Sequence, residues 1–372
     1  FFKKINLTPI GKYLLLIIFY SLIGSFIYLI NFNPVLLGLR AFFKYGFLFL
    51  IFINSNFSKN SYKKMFGFWL FLMAIQPIIA MIQYLIPMEV GNTNDAIAGT
   101  LLTTTNAAIL LIIFIICLID LLNKDKVKNY ILYSLIFLSA IVIPVLGETK
   151  GFFYFLPIIF LIRYFHIIRK FQIKKIGMFV LSFLVILYFF RAFFQVNLFD
   201  FSTVNMSKFL FRTGGESVTT EGGITQNTIA RSISERYLSL LSLYNFLNEK
   251  PSRIIFGDGL GSKVFSYETR KGFSITSEKD YLVKYALPRM IVNIGLVGFF
   301  IFCFMLWKIS YYAYNASFRT NDEFLVYIYR IIPAFSFLYL IALPYAEPFE
   351  DAVSFSYWFF VSSLMYISNI DE

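Results

Sequence analysis

Six basic side chains stand in or beside apolar runs, where lipid or a packed core would not tolerate a bare charge. Arg40 and Lys44 fall inside Val35–Ile53, Arg191 near the end of Ile176–Val196, and Arg289 at the head of Met290–Ile309. Lys150, next but one to Glu148, opens Phe152–Ile168, and Arg330 interrupts Phe324–Leu343. A cation in the hydrocarbon costs on the order of 2.5–3.5 kcal/mol on insertion scales, so it usually faces a cavity or a partner. Arg40 and Lys44 are one helical turn apart and share a face. The chemistry on offer is anion binding. Arg suits phosphate, because its planar fork makes two charge-assisted hydrogen bonds. The competing reading is snorkelling, in which long stems carry the charge to the interface.

Other residue types narrow the choice. His166 is the sole histidine and lies among basic residues, which leaves no histidine triad and no multi-histidine metal site elsewhere. Cys117 and Cys303 both sit in apolar segments, so no disulfide framework follows. Gly257, Gly259 and Gly261 alternate in the stretch from Phe256 to Ser262. No strand pattern precedes them and no P-loop lysine follows, so they read as a tight turn rather than a nucleotide loop. Glu347, Glu350 and Asp351 read as loop charges.

The elements that would position these groups are membrane spans. The 372 residues are 58% hydrophobic and 15% charged, against roughly 25% charged in a soluble domain. A mean hydropathy of +0.71 points the same way. Ten stretches approach the ~20 apolar residues of a span: Tyr13–Ile30, Val35–Ile53, Phe66–Ile86, Ile97–Leu121, Tyr130–Leu146, Phe152–Ile168, Ile176–Val196, Met290–Ile309, Phe324–Leu343 and Val353–Ile367. Runs such as Leu14 to Phe19 do not alternate, so helices are expected and a barrel is not. Pro77, Pro144, Pro157 and Pro333 are candidate break points. The expected fold is an all-α polytopic integral membrane protein of about ten transmembrane helices. It divides into N-terminal helices (1–196), one large extracytoplasmic loop (197–288) and C-terminal helices (289–372).

Orientation follows from the short connections. With the N-terminus inside, sixteen lysines and arginines fall on inner segments, Lys59, Lys63, Lys64, Arg163 and Lys308 among them, and only Lys150 on the opposite short loops. The net charge of +12 therefore reads as a topology signal, and no nucleic-acid partner is expected. Arg40, Lys44, Lys150, Arg191 and Arg289 then share the outer half of the membrane; Arg330 lies in the inner half. Five cations there suit an anionic headgroup such as a lipid-linked pyrophosphate. Some Tyr and Trp are expected at headgroup level. The chain begins at Phe1 rather than Met, which leaves open whether its natural start, with an earlier helix, is missing, and no cleavable signal peptide is found. Within the long loop, Thr228 can cap a helix running to Asn248, with Ile229, Ile233, Tyr237, Leu240, Leu241, Tyr244 and Leu247 on one side and Pro251 as its stop.

Several short motifs resemble bacterial O-antigen polymerases of the Wzy type, within the O-antigen ligase and polymerase superfamily. Gly147-Glu-Thr-Lys-Gly151 resembles the family's small-residue–Arg–Gly turn, with Lys150 in place of Arg. Ser234-Glu-Arg-Tyr237, Pro251 and Ile255-Phe-Gly-Asp-Gly-Leu-Gly261 resemble its loop helix, proline and glycine turn. Asn293-Ile-Gly-Leu-Val-Gly298 resembles the start of the following helix. The likeness covers the second half of the chain by motif and the first half by topology alone. Ligases of the superfamily carry a histidine late in the loop; Ser277-Glu-Lys-Asp-Tyr281 has none, which favours a polymerase.

The resemblance implies a glycosyltransferase of the bacterial inner (plasma) membrane, with its active site facing the periplasm. Its substrates would be undecaprenyl-pyrophosphate-linked oligosaccharides, its surroundings membrane lipid, and a chain-length regulator a possible partner. It implies no metal and no cofactor. Arg40, Lys150, Arg191, Arg236 and Arg289 are the expected stabilisers of the departing pyrophosphate. Glu235, Glu278 and Asp280 are candidates to accept the attacking hydroxyl's proton. Lys44, Glu148, Tyr237, Gly259 and Gly261 are expected around the substrate, Glu148 also orienting Lys150. Two alternatives stay open: an O-antigen ligase, and a transporter or flippase for an anionic lipid or solute, for which broken helices would speak.

Overall fold

The computed structural model describes residues 8–55, 57–85, 99–101, 104–124, 140, 143–144, 150–168, 239–261, 286–344 and 352–367. Among these residues helices predominate and no strand occurs. In chain order they form α1 (Pro9–Ile27), α2 (Phe32–Asn54), α3 (Lys59–Leu85), α4 (Thr104–Lys124), α5 (Lys150–Ile168), α6 (239–249), α7 (Pro251–Phe256), α8 (Ala286–Arg319), α9 (Glu323–Ala342) and α10 (Ala352–Ser362). A 3-10 turn, Ser363–Tyr366, follows. Among the described residues five helices are long and apolar enough to cross a membrane: α1, α2, α3, α8 and α9. The expected spans Tyr130–Leu146 and Ile176–Val196 lie wholly or almost wholly outside the described residues.

The chain divides into two compact units, 1–71 with 237–372, and 72–236, the division falling inside α3. In the first unit the long helices carry apolar side chains on exposed as well as buried faces. α1 buries Leu14, Ile17, Ile18, Ser21 and Ser25 while Leu16, Phe19, Phe26 and Ile27 stay exposed. It starts on a Thr8 cap, whose Oγ1 accepts from the Gly11 N–H at 3.2 Å, and on Pro9, whose missing N–H costs nothing in a first turn.

The core joining α3, α9 and α10 is aromatic, and its polar tips are satisfied inside it. Trp69 Nε1 donates to Ser356 Oγ at 2.9 Å and the Tyr62 hydroxyl to the Phe359 carbonyl at 3.1 Å. Tyr339 donates to Ser354 Oγ at 3.2 Å, Tyr329 to the Ser363 carbonyl at 3.1 Å, and Ser336 and Tyr357 pair at 2.9 Å. These Tyr and Trp residues belong to the core. Trp307, Tyr311 and Tyr314 on α8 remain exposed as a belt would be.

At one end of this unit Asp322 caps α9, accepting from the Phe324 and Leu325 N–H groups at 2.9 and 3.1 Å, and pairs with Lys59 and, at 3.8 Å, Lys63 of α3. Burial alone would raise the Asp322 pKa. The Lys59 hydrogen bond, the Leu325 N–H and the two lysine charges outweigh it and hold the carboxyl below its ordinary value. A depressed folded pKa adds stability that is present above the unfolded value and lost as pH falls through the folded one. Asp322→Asn keeps the cap and removes the charge, so thermal unfolding at neutral pH should show a loss within about 1 kcal/mol. On acidification past the ordinary carboxylate range, near pH 4, the wild-type and variant curves should converge; a constant gap would show that the charge is not responsible.

In the second unit, Gln76 and Gln83 of α3 bind the turn 99–101: Gly99 N–H and carbonyl pair with Gln83 at 2.9 and 2.8 Å, and the Thr100 N–H donates to Gln76 Oε1 at 2.8 Å. The expected span from Ile97 is corrected here, since Gly99 has φ +65° and the helix starts at Thr104. α3, α5 and α9 run on through Pro77, Pro157 and Pro333.

Candidate functional site

The break in the bundle comes at a glycine. α8 is interrupted at Gly295 (φ +73°, ψ 172°), which splits a short half, 286–294, from a long one, 296–319. The interruption exists because another stretch of backbone occupies that place. Residues 251–261, α7 and its glycine turn, wedge between α1, α2 and the short half of α8. The Asp258 N–H donates to the Val292 carbonyl at 2.7 Å, and the backbone of Ile255 and Gly257 lies where any side chain at 295 would go.

Non-helical backbone at span depth must find its hydrogen bonds in protein. Here Ser25 Oγ accepts from the Leu260 N–H at 2.8 Å and Asn293 Oδ1 from the Gly261 N–H at 3.0 Å. The Tyr20 hydroxyl donates to the Ile255 carbonyl at 2.5 Å, and Tyr28 donates to Ser252 Oγ at 2.8 Å. Arg253 closes the segment on itself, bonding Asp258 Oδ1 at 2.8 Å and Glu249, with its guanidinium 4.3 Å from the Phe246 ring. The expected tight turn is therefore present. Gly259 and Gly261 are packed against Ser25 and Pro34 of the first two helices and spend their small size on that approach.

Arg289 is the charge this joint buries. It lies on the short half of α8 with 3% of its surface exposed, its guanidinium 5.9 Å from the Phe42 ring of α2. Its own carbonyl accepts from Asn293 Nδ2 at 2.7 Å, so Asn293, fully buried, links the turn holding Arg289 to the glycine turn through Gly261. A buried guanidinium on a half-helix beside fixed backbone dipoles can hold an oxyanion with little reorganisation.

The other expected residues fall into three groups. Arg40 and Lys44 share a face of α2, as their spacing predicts, but each lies about 200° around the helix from Phe42. Arg40 is exposed beside Leu36, Leu37 and Phe47, and Lys44 sits 4.5 Å from the Tyr45 ring. The structure thus links Arg289 to Gly261 of the glycine turn through Asn293, seats Gly259 of the same turn on Ser25, and puts Arg40 and Lys44 on the other side of α2. Lys150 is the first residue of α5. Glu148, Arg191, Glu235, Arg236, Tyr237, Glu278 and Asp280 lie outside the described residues.

Four groups were missed by sequence reasoning. Tyr20, Ser25 and Asn293 carry the turn, and their signal is faint: a polar residue in an apolar run. The fourth is an ion pair in the second unit. Arg163, expected as an inner-loop charge, is inside α5 and bonds Asp120 of α4 through Nε at 3.0 Å and Nη2 at 2.5 Å. Among the described residues no three His, Cys, Asp or Glu side chains gather as metal ligands. Set beside known proteins, the chain matches no family model and no curated protein sequence.

Proposed function

We propose that this chain is a membrane glycosyltransferase that polymerises surface polysaccharide from polyprenyl-pyrophosphate-linked repeat units. The observation that carries the reading is Arg289, a buried guanidinium on the half-helix that the glycine turn clamps. It adds to the order of motifs running from Gly147-Glu-Thr-Lys-Gly151 to Asn293-Ile-Gly-Leu-Val-Gly298. A hydroxyl of the incoming unit attacks the anomeric carbon of the growing chain. The bond from that carbon to the pyrophosphate oxygen breaks, and polyprenyl pyrophosphate leaves with the electron pair. Arg289 meets the charge that develops on the departing oxygen; the resemblance implies further cations in Lys150 of the Gly147–Gly151 turn, Arg191 near the end of the expected span Ile176–Val196 and Arg236 of the long loop. Glu235, Glu278 or Asp280 takes the hydroxyl proton. Arg40 and Lys44 remain further candidate cations, on the face of α2 away from Phe42.

Arg289→Ala should leave single repeat units where the wild-type protein makes a ladder, because loss of one positioned charge from a transition state costs about 10²–10³ in rate. Arg289→Lys should restore part of the ladder. A full ladder from correctly inserted Arg289→Ala protein would remove the residue from the mechanism. The missing loop histidine in Ser277-Glu-Lys-Asp-Tyr281 supports polymerase over ligase; a ligase variant would leave long polymer unattached instead.

One observation favours a second reading. A span broken at Gly295, with a cation on its short half, is also how transporters build a site for an anion. Purified wild-type protein given lipid-linked repeat units in detergent separates the two: polymer forms if the chain is the enzyme, and none forms if it only moves its ligand.

A further inference from the structure

α6 has too much apolar surface for a helix in water. At about 100° per residue, Ser239, Leu243, Phe246 and Leu247 fall on one arc. Leu243 and Phe246 are buried against Ile291 and Val292 of α8, with Leu247 partly so. The next arc is also apolar and faces outward: Leu240 is 54% exposed and Tyr244 64%, with Leu241 beside them. Asn248 falls between Tyr244 and Leu241 at the edge of that arc; the remaining sector carries Ser242, Asn245 and Glu249, and Lys250 follows at the helix end. The apolar sector thus spans about half the circumference, and the protein covers only part of it.

Exposed apolar side chains continue along the chain from that uncovered part and recur on the spans that α7 touches. α7 continues from α6 and exposes Ile254 and Ile255. The Ile255 carbonyl is bonded by Tyr20 and Phe256 stacks on the Tyr20 ring at 5.5 Å. Tyr20 lies seven residues before the end of α1 at Ile27, so this contact is about 10 Å inside the end of the span at 1.5 Å per residue. Phe19, Ile23 and Phe26, the exposed side of the same helix, flank it, and Phe300 is exposed on the α8 half below. An apolar helical face placed this way matches the usual burial of interfacial helices, roughly 5–10 Å into the headgroup and acyl boundary.

We infer that α6 and α7 form an interfacial element whose Leu240, Tyr244, Ile254 and Ile255 are embedded in the bilayer leaflet at the end where α1 finishes and α2 begins. The occupant of this face is phospholipid. The segment thereby fixes the depth of the glycine turn from two sides, protein on one and acyl chains on the other. The inference does not depend on the proposed reaction.

Nitroxide accessibility in the full chain tests it. Single cysteines replace Leu240, Tyr244, Asn245, Glu249 and Ile254 in turn, in a Cys117→Ala, Cys303→Ala background, in nanodiscs of phosphatidylethanolamine and phosphatidylglycerol. Labels at 240, 244 and 254 should collide more with oxygen than with a water-soluble nickel chelate, and labels at 245 and 249 the reverse. The five sites check one another, so one misfolded variant leaves the pattern readable. Nickel-dominated collisions at 240, 244 and 254 would place the face in water. Protection from both reagents there would mean that protein covers it. Either result overturns the inference.

Discussion

Gly261→Ala should cost the protein its folded state, while Gly67→Ala should leave it unharmed or slightly more stable. Both glycines lie in the same compact unit, and the difference is local physics. Gly261 has φ +83°, and a Cβ there would collide with the Pro34 carbonyl and come within 2.8 Å of the Val35 nitrogen. The neighbour is helical backbone, which cannot step aside as a side-chain tip can. A left-handed conformation costs a residue with a Cβ on the order of 1–2 kcal/mol, and forced overpacking adds about 1–3 kcal/mol. Displacing residue 261 also breaks its bond to Asn293, which buries an unsatisfied amide for about another 1–3 kcal/mol. Together these approach the 5–15 kcal/mol that holds a typical domain. At Gly67, in a regular turn of α3, nothing lies within 4 Å of the added carbon, and Ala is the better helix former by up to about 1 kcal/mol. Size-exclusion profiles and unfolding midpoints in detergent read both variants. A monodisperse Gly261→Ala protein with the wild-type midpoint would mean that the glycine turn does not hold α1, α2 and α8 together.

The same turn shows what a sequence displays and what it hides. The five long helices are legible because about twenty apolar residues in a row have few other fates. The shared face of Arg40 and Lys44 is legible because helical spacing is local. The break at Gly295 is not, since nothing in Asn293-Ile-Gly-Leu-Val-Gly298 distinguishes a helical glycine from one that makes room for residues 255–257. The prolines invite the opposite error. Pro77, Pro157 and Pro333 look like breaks, yet the helices continue through them. The start of α4 is set by Gln76 and Gln83, some twenty residues away, binding Gly99 and Thr100. The spacing puts Leu240, Leu241, Tyr244 and Leu247 on one side of α6 but does not say which sector packs; Leu243 and Phe246 are seated on α8, because that sector meets Ile291 and Val292. Of the candidate site, Arg289 was legible as a charge at the head of an apolar run and the glycine turn as a motif, but their link through Asn293 is a long-range fact that spacing does not carry.

The pair Asp120–Arg163 carries the second large effect. Its side chains are 9% and 4% exposed, and both Nε and Nη2 of Arg163 bond the same carboxylate oxygen. Bringing two ions out of water costs several kcal/mol each, and their attraction returns that only while both are present. Asp120→Ala should therefore destabilise the unit by about 3–5 kcal/mol, because the guanidinium remains on α5 without its carboxylate. Arg163→Ala should do comparable harm from the other side. Asp120→Leu combined with Arg163→Met removes both charges and keeps much of the volume, so it should recover most of the loss and can exceed wild type. Unfolding midpoints of the two single variants and the double one make the cycle. A double variant no better than either single would mean that the charges are not what binds α4 to α5. Recovery of the fold makes a further distinction possible. If the ladder, or transport, returns along with stability, the pair is structural. If the fold returns without the activity, an ion pair missed as loop charge belongs to the working parts of the protein, as ionisable groups within membrane helices commonly do.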